Sequence, residues 1–291
     1  MVTYMISCII CSRNKDIPEE LKENISSTIG CEYELIVIDN SSNSYSIFSA
    51  YNEGVRRSKG DILCFMHEDI IYHTQNWGVK VLEHFRNENV GLLGVEGTHF
   101  SANYPSPWWS SSLNSGQLIQ GNTINGIYSS EEEYLWNRKE GNSIEGVIVD
   151  GLWMCISRKL FNNNAIKFDE DTYNGFHCYD ADICMQVLSI KRQVHIVFDI
   201  LIEHKSLGNP DIRYFNQLDI WHNKWSSFLP LMCGIAVSEI DIQYYELVCR
   251  RYTDLFRSNV ILSERLESLY KSNAYKIGKF ILYPLKKILR K

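Results

Sequence analysis

Through the first hundred residues, short apolar runs alternate with segments of helical spacing. Runs that are apolar at almost every position, such as MISCIIC and ELIVID, are typical of strands buried on both faces of a sheet. The predicted strands cover residues 5–11, 34–39, 61–66 and 90–95, and the predicted helices between them cover residues 18–29, 45–58 and 77–86. Strands joined through helices make right-handed crossovers, so the pattern predicts an α/β fold with a mainly parallel sheet flanked by helices.

The pattern changes over residues 97–142, where Ser, Asn, Gly and aromatic residues dominate. A segment of this length without regular structure is usually a binding loop or a lid, so we predict a long functional loop here. Regular patterns return at residues 145–157, 181–188 and 194–202, and the chain is predicted to be helical after residue 211.

Polar side chains follow three of the predicted strands directly. The residues are Ser12 and Arg13 after the first strand, Asp39 after the second, and His67, Glu68 and Asp69 after the third. Ligands of open parallel sheets bind at the carboxyl ends of the strands, so we expect these side chains to converge at one edge. Neither of the two Gly-rich phosphate-binding patterns, GxGxxG and GxxxxGK[ST], occurs in the sequence.

Without a Gly-rich loop, an acidic strand end would have to neutralise phosphates through a metal ion. The oxygen ligands of Asp69 and its neighbours suit Mg²⁺ or Mn²⁺. The alternative interpretation is that residues 67–69 form a solvated turn that caps the next helix.

Two further polar clusters could carry chemistry. Asp180 and Asp182 precede a helical pattern, where one carboxylate can cap the helix while the other faces a cleft as a general base. His204 follows Glu203 at the end of a predicted strand, where a histidine can be a ligand, a base or a structural group.

The charge is unevenly distributed along the 291 residues. The net charge is −6, but the last 21 residues hold seven Lys or Arg and no acidic residue, so the rest carries −13. An acidic body argues against nucleic acid as a partner. No apolar run is long enough to span a membrane, no signal peptide is recognised, and nine scattered cysteines suit a reducing cytoplasm.

The motifs in their order resemble a family 2 glycosyltransferase with the GT-A fold. They are IDNSSN, AYNEGVRRSKGDILCFMHED, DGLWMCISRKLF, GFHCYDADIC and EHKSLG, within roughly residues 3–210. FMHEDI, with His67 where most members have the first Asp of Asp-x-Asp, is similar to a bacterial subgroup. The resemblance implies an α/β fold with a Rossmann-like nucleotide-binding half (about 1–96), an acceptor half (about 97–225) and a helical C-terminal extension (226–291).

The resemblance also implies a role for each matching residue. Asp39 would contact the base, most simply uracil, or the ribose, with Ser12, Arg13, Asn52, His67 and Glu68 in the same nucleotide-sugar pocket. Asp69 and His204 would bind the divalent cation, Mn²⁺ or Mg²⁺. Asp180 would be the catalytic base of an inverting transfer, with Asp150, Trp153 and Tyr179 on the acceptor side. Tyr179 stands where the family has Glu.

The expected enzyme is therefore a metal-dependent glycosyltransferase that moves a sugar from a nucleotide-sugar donor to a glycan or lipid-linked acceptor. Alternatives are a nucleotide-sugar-forming nucleotidyltransferase, and a non-catalytic sugar-binding protein of the same fold. Residues 274–291 mix basic residues with an apolar stripe, which suits an interfacial helix on an anionic membrane. The alternative is a helix that packs on the body or at a homodimer interface. The expected location is the cytoplasm, on the inner face of the membrane.

Overall fold

The computed structural model describes residues 4–124, 127–136, 141–162, 166–208, 210–236, 238–273 and 275–277. Side chains of residues 122–124, 127, 131–136 and 240 are outside the description. The strands are β1 (Met5–Ser12), β2 (Glu32–Asp39), β3 (Ile62–Met66), β4 (Ile70–Tyr72), β5 (Val90–Gly94), β6 (Glu96–Thr98), β7 (Phe100–Ser101), β8 (Asn114–Ile124), β9 (Ile127–Trp136), β10 (Ser143–Gly146), β11 (Ile148–Val149), β12 (Trp153–Ser157), β13 (Gln193–Val197), β14 (Ile202–His204) and β15 (Leu231–Met232). The α-helices are α1 (Glu19–Thr28), α2 (Ile47–Arg57), α3 (Trp77–His84), α4 (Arg158–Asn162), α5 (Tyr179–Ser189), α6 (Ile212–Trp225) and α7 (Glu239–Lys271).

The central sheet has the strand order β10-β13-β5-β12-β3-β1-β2. Strands β2, β1 and β3 are parallel, as are β5 and β13, while β12 runs antiparallel between β3 and β5. Ser12 is paired with Asp39 and Ile10 with Met66, so the first three strands end at the same edge. The α/β class and the mainly parallel sheet with flanking helices predicted from the sequence are confirmed.

Two apolar layers cover the two faces of this sheet, because successive side chains of a strand point to opposite faces. Ile9, Phe65 and Ile156 belong to the layer formed with α2, α5 and α6. Ile10 and Cys64 belong to the layer formed with α1 and α3. All five are fully buried, and each such side chain contributes about 1.5–3 kcal/mol to the free energy of folding.

The prediction of a structureless loop over residues 97–142 is wrong. Strands β6 to β9 lie within it, and β8 pairs with β6, β9 and β14 in a second sheet of order β11-β6-β8-β14-β4. Ser, Asn and Gly are typical of turns, which is why the segment was predicted to be a loop. Backbone N–H and C=O groups can be hydrogen-bonded between strands whatever the side chains are. Gly116 is required by packing, since a Cβ there would lie 2.6 Å from the Cβ of Glu96.

The C-terminal helix α7 begins at Ser238, whose side chain forms a capping box with Asp241. Its first half packs on the body, where Cys249 and Thr253 are each 1% exposed. The Tyr104 hydroxyl donates to Asp254 Oδ1 at 2.5 Å, which fastens the 100–112 segment to the helix. Of the predicted tail, 274–291, all but residues 275–277 lie outside the described residues. None of the described helices is long and apolar enough to cross a membrane.

Candidate active site

The carboxyl ends of the first three strands form a polar edge, as the sequence predicts. The Asn40 amide donates to the carbonyl of Ser12 at 2.9 Å, and the Ser12 hydroxyl donates to Glu68 Oε2 at 2.5 Å. The exposed Asp39 carboxylate accepts a hydrogen bond from the Ser41 amide at 2.9 Å, and the Ser41 contacts lower the pKa of Asp39. Ser12, Asp39 and Glu68 are therefore neighbours, with Asp39 ionised at neutral pH.

A possible metal site lies beside this edge. His67 follows β3, Asp69 lies in the turn before β4, and His204 ends β14, which is paired with β4. His67 Nδ1 is 3.4 Å from His204 Nε2 and 3.9 Å from Asp69 Oδ1, and His204 Nε2 is 3.6 Å from Asp69 Oδ1. Ligand atoms held about 2.1 Å from one ion lie roughly 3.0–3.5 Å apart. Two imidazoles and a carboxylate at these separations therefore fit a divalent cation with an open side.

Neighbouring groups orient His67 and Asp69 and favour the protonation states in which these two side chains bind metals. The Tyr179 hydroxyl lies 3.0 Å from His67 Nε2, which leaves Nδ1 directed at the cluster. Burial and the neighbouring His204 lower the pKa of His67, which favours the neutral imidazole that binds metals. Burial opposes ionisation of Asp69, but His204 and the Ser206 hydroxyl, which donates at 2.6 Å, hold the pKa of Asp69 well below its usual value.

Three carboxyl groups converge next to the cluster. Asp180 lies in the first turn of α5 and accepts from the amides of Ala181 at 2.8 Å and Gly151 at 3.2 Å. Burial, followed by the charge of nearby Asp150, raises the pKa of Asp180 to about 7. Glu96, buried at the start of β6, also has its pKa raised well above its usual value by burial and by Asp150. A half-buried carboxyl that titrates near neutrality is suited to accept a proton.

The second acid of the Asp180–Asp182 pair has a structural role. Asp182 is 1% exposed, and its Oδ1 accepts from Lys224 Nζ at 2.7 Å, Trp225 Nε1 at 2.8 Å and the Tyr173 hydroxyl at 3.1 Å. These bonds fasten α6 to α5. The sequence predicted that one of the two acids caps the helix, and this is wrong, because the N-cap residue of α5 is Cys178 and no side chain caps it. That Asp180 faces a cleft as a base stays a prediction.

Two residues predicted for the site, Trp153 and Asn52, form hydrogen bonds with other parts of the structure instead. Trp153, expected on the acceptor side, is fully buried, and its Nε1 donates to the Tyr72 hydroxyl at 2.8 Å. That prediction is wrong because β12 turns the indole into the core. The side chain of Asn52 makes two hydrogen bonds with the backbone of Phe168. Its Nδ2 donates to the Phe168 carbonyl at 2.8 Å, and its Oδ1 accepts from the Phe168 backbone amide at 3.2 Å. Asn52 thus holds the 166–178 segment.

The sequence reasoning missed two residues of the site. Glu96 directly follows the fourth predicted strand, so the strand-end argument could have found it. The Ser206 hydroxyl donates to Asp69. The only sequence signal for Ser206 is its position two residues after His204. His67 was predicted in the nucleotide-sugar pocket, and its geometry groups it with the metal-ligating atoms.

Comparison with known proteins gives the family. Residues 7–222 match the model of a protein family described as "Glycosyltransferase like family", and this span includes every residue of the site. The chain belongs to this family. The predicted enzyme class, a glycosyltransferase, is thereby confirmed. Among curated proteins no match was found.

Several solved structures are similar to this glycosyltransferase-like chain at low identity. GalNAc-T7 with UDP, GalNAc and Mn²⁺ is 10% identical, with a TM-score of 0.47 over 73% of this chain. The chain covers 46% of the length of GalNAc-T7. TarS 1–349 of S. aureus is 11% identical, with a TM-score of 0.47 over 84% of this chain and 70% of its own. The mannosyltransferase PcManGT of Pyrobaculum calidifontis, with GDP-Man and Mn²⁺, is 9% identical, with a TM-score of 0.46 over 96% of this chain and 84% of its own.

Proposed function

We propose that this protein is a metal-dependent glycosyltransferase that moves a sugar from a nucleoside diphosphate sugar to a hydroxyl group. The observation that carries the proposal is the cluster of His67, Asp69 and His204 between the polar strand ends and a carboxyl with a raised pKa. Such an arrangement supplies the three requirements of the reaction, which are a donor pocket, a counter-charge for the leaving diphosphate and a base for the acceptor.

The donor pocket is proposed at the ends of β1, β2 and β3. The ionised Asp39 carboxylate can accept from the N–H of a base such as uracil or from a ribose hydroxyl. Ser12 and Glu68, which are hydrogen-bonded to each other, are proposed to line the bottom of the pocket at this edge. The exposed Arg13 can approach a phosphate. We therefore propose a UDP-sugar as the donor, with residues 1–96 as its binding half.

The cation would be held by His67, Asp69 and His204. Bound there, a divalent cation supplies positive charge for the departing diphosphate. Two imidazoles among three ligands favour Mn²⁺ over Mg²⁺, since Mg²⁺ binds almost entirely through oxygen. Tyr179 acts here by orienting His67 rather than by touching an acceptor.

Asp180 is proposed as the base that takes the proton of the acceptor hydroxyl. Burial and the neighbouring Asp150 raise the pKa of Asp180 to about 7, so that its carboxyl is partly protonated near neutral pH but can still accept a proton. A single base on the side opposite the leaving group is sufficient for an inverting displacement. We propose that residues 97–225 form the acceptor half, and that the acceptor is a glycan or a lipid-linked saccharide in polysaccharide biosynthesis.

We propose a cytoplasmic location for this chemistry, with the basic segment 274–291 in contact with the anionic inner face of the membrane. The support comes from the six basic side chains of residues 274–291, a segment that contains no acidic residue. Such a contact would bring the acceptor half to a lipid-linked substrate.

The test is release of nucleoside diphosphate from a panel of nucleotide sugars with Mn²⁺. We expect turnover of one UDP-sugar, lost in Asp69→Ala together with metal binding. Asp180→Asn should retain nucleotide binding but lose transfer. Asp171→Ala, at an exposed carboxylate, is the matched control. Metal-independent turnover, or formation of nucleotide sugar from a nucleoside triphosphate and a sugar phosphate, would contradict the proposal.

A further inference from the structure

The second half of helix α7 carries large apolar side chains that nothing in the described part of the chain covers. Leu255 is 67% exposed, Leu262 55%, Leu266 51% and Leu269 55%. From residue 262 to the end of the helix every side chain is exposed. Four leucines left in water on one helix are unusual for a surface that has no partner.

The exposed residues follow the spacing of a coiled coil. Tyr252, Leu255, Asn259, Leu262, Leu266 and Leu269 are separated by alternating steps of three and four. In a heptad repeat, leucine then occupies three successive d positions, while Tyr252, Asn259 and Leu266 occupy the a positions. We name these six residues the leucine stripe.

The leucine stripe is separate from the face by which α7 packs on the body. That face consists of Cys249, Thr253, Phe256 and Val260. At about 100° per residue, its centre lies roughly 120° around the helix from the stripe. Tyr252 is the exception, because its hydroxyl accepts from Trp109 Nε1 of the body at 3.2 Å. From Leu255 onward, a second helix can pack along the stripe while the packing of Cys249, Thr253, Phe256 and Val260 on the body is kept.

We propose that the leucine stripe pairs with the same stripe of a second copy of this chain, as a parallel two-stranded coiled coil. Asn259 argues for this occupant. At an a position in a parallel pair in register, its amide meets the amide of its own counterpart, and a single buried Asn of this kind selects two-stranded parallel pairing. An apolar segment or a lipid surface would bury the same amide without a partner, which costs free energy.

The charges beside the stripe point the same way. Asp254, Glu264 and Glu267 are balanced by Arg257, Arg265 and Lys271, so this part of the helix has no net charge to attract an anionic membrane. The repeat is short, so association should be weak and depend on concentration. Parallel pairing also brings both basic C-terminal segments to one end of the dimer.

The first experiment measures the molar mass of the full chain by light scattering over a concentration series. We expect a dimer at high concentration that Leu266→Glu converts to a monomer, halving the mass. Ser268→Glu adds the same charge two residues away, off the stripe, and should leave the dimer intact. Leu266 is 51% exposed, so both variants should give unchanged circular dichroism. A wild-type monomer at every concentration, or a dimer that persists in Leu266→Glu, overturns the proposal.

The second experiment tests the parallel register by oxidation. Asn259→Cys places two thiols across the pair only if the helices are parallel and in register, so a cross-linked dimer should form. Ser268→Cys should remain uncross-linked under the same conditions. Equal cross-linking of the two variants, or stripe-dependent sedimentation of a monomer with anionic vesicles, would overturn the parallel pairing.

Discussion

Replacing Asp180 with Asn should make the protein inactive and should remove a fall in the free energy of unfolding between about pH 5 and about pH 7. Because burial and Asp150 raise the pKa of Asp180 from 3.8 to about 7, the folded state favours the protonated carboxyl. Between these two values the folded protein binds more protons than the unfolded chain, so the free energy of unfolding of the wild type falls as pH rises. The Asn variant has no carboxyl there and lacks this fall.

The size of the effect follows from the shift. Each pH unit between the two pKa values is worth about 1.36 kcal/mol, so from about pH 5 to about pH 7 the variant should gain at most about 2.7 kcal/mol relative to the wild type. Asn accepts only one of the two backbone hydrogen bonds, from Gly151 and Ala181, that the carboxylate accepts. Losing this hydrogen bond lowers the free energy of unfolding of the Asn variant by about 1–3 kcal/mol at every pH, so it does not change the pH dependence.

Urea unfolding at several pH values measures this difference, and a glycosyl-transfer assay measures the loss of the base. Removing a general base costs about 10²–10⁴ in rate, while nucleotide binding should be unchanged. Asp171→Asn, at a carboxylate that is 78% exposed, should change neither quantity. A stability difference that stays flat between pH 5 and pH 7 would refute the assignment of the raised pKa, and retained transfer would refute the role of Asp180.

Three further substitutions test the surroundings of the site. Tyr179→Phe removes the hydroxyl that holds His67 and should weaken Mn²⁺ binding about 10–100-fold in a metal titration, with the fold intact; an unchanged dissociation constant would leave the phenol without this role. His67→Asp replaces an imidazole ligand with a carboxylate and should raise activity with Mg²⁺ relative to Mn²⁺, whereas an unaltered ratio would count against His67 as a ligand. Lys224→Met leaves the buried Asp182 without its counter-charge and should lower the free energy of unfolding by about 3 kcal/mol, and adding Asp182→Asn should restore part of it.

The sheet and its polar edge were predictable because each rests on local chemistry. Apolar runs such as MISCIIC are typical of buried strands, and residues after parallel strands share one edge by geometry. The strands of the 97–142 segment were not predictable in this way. Strand β8 pairs with its sequence neighbours β6 and β9, but it also pairs with β14, about eighty residues further along the chain, and that pairing is recorded by no local pattern.

The orientation of side chains was the other feature that the sequence could not predict. The resemblance placed Trp153 on the acceptor side through its DGLW motif, but Trp153 is already the first residue of β12 and faces the core. One step along a strand changes the face of the sheet on which a side chain lies. The same uncertainty applied to Asp180 and Asp182, and only the positions of Lys224 and Asp150 in space separate the acid that is held in an ion pair from the acid proposed as the base.

His67 and Tyr179, the two departures from the family pattern, are in contact with each other. They stand where the resemblance leads one to expect Asp and Glu, and their side chains lie 3.0 Å apart although 112 residues separate them. Two carboxylates at this distance would repel, and one of them would have to stay protonated. An imidazole and a phenol can instead share a hydrogen bond while the other ring nitrogen faces Asp69 and His204. Considered one at a time, each replacement weakens the argument for a glycosyltransferase site. Considered as a pair, they form a hydrogen bond between an imidazole and a phenol that orients His67, the proposed metal ligand, where the family pattern has two acids.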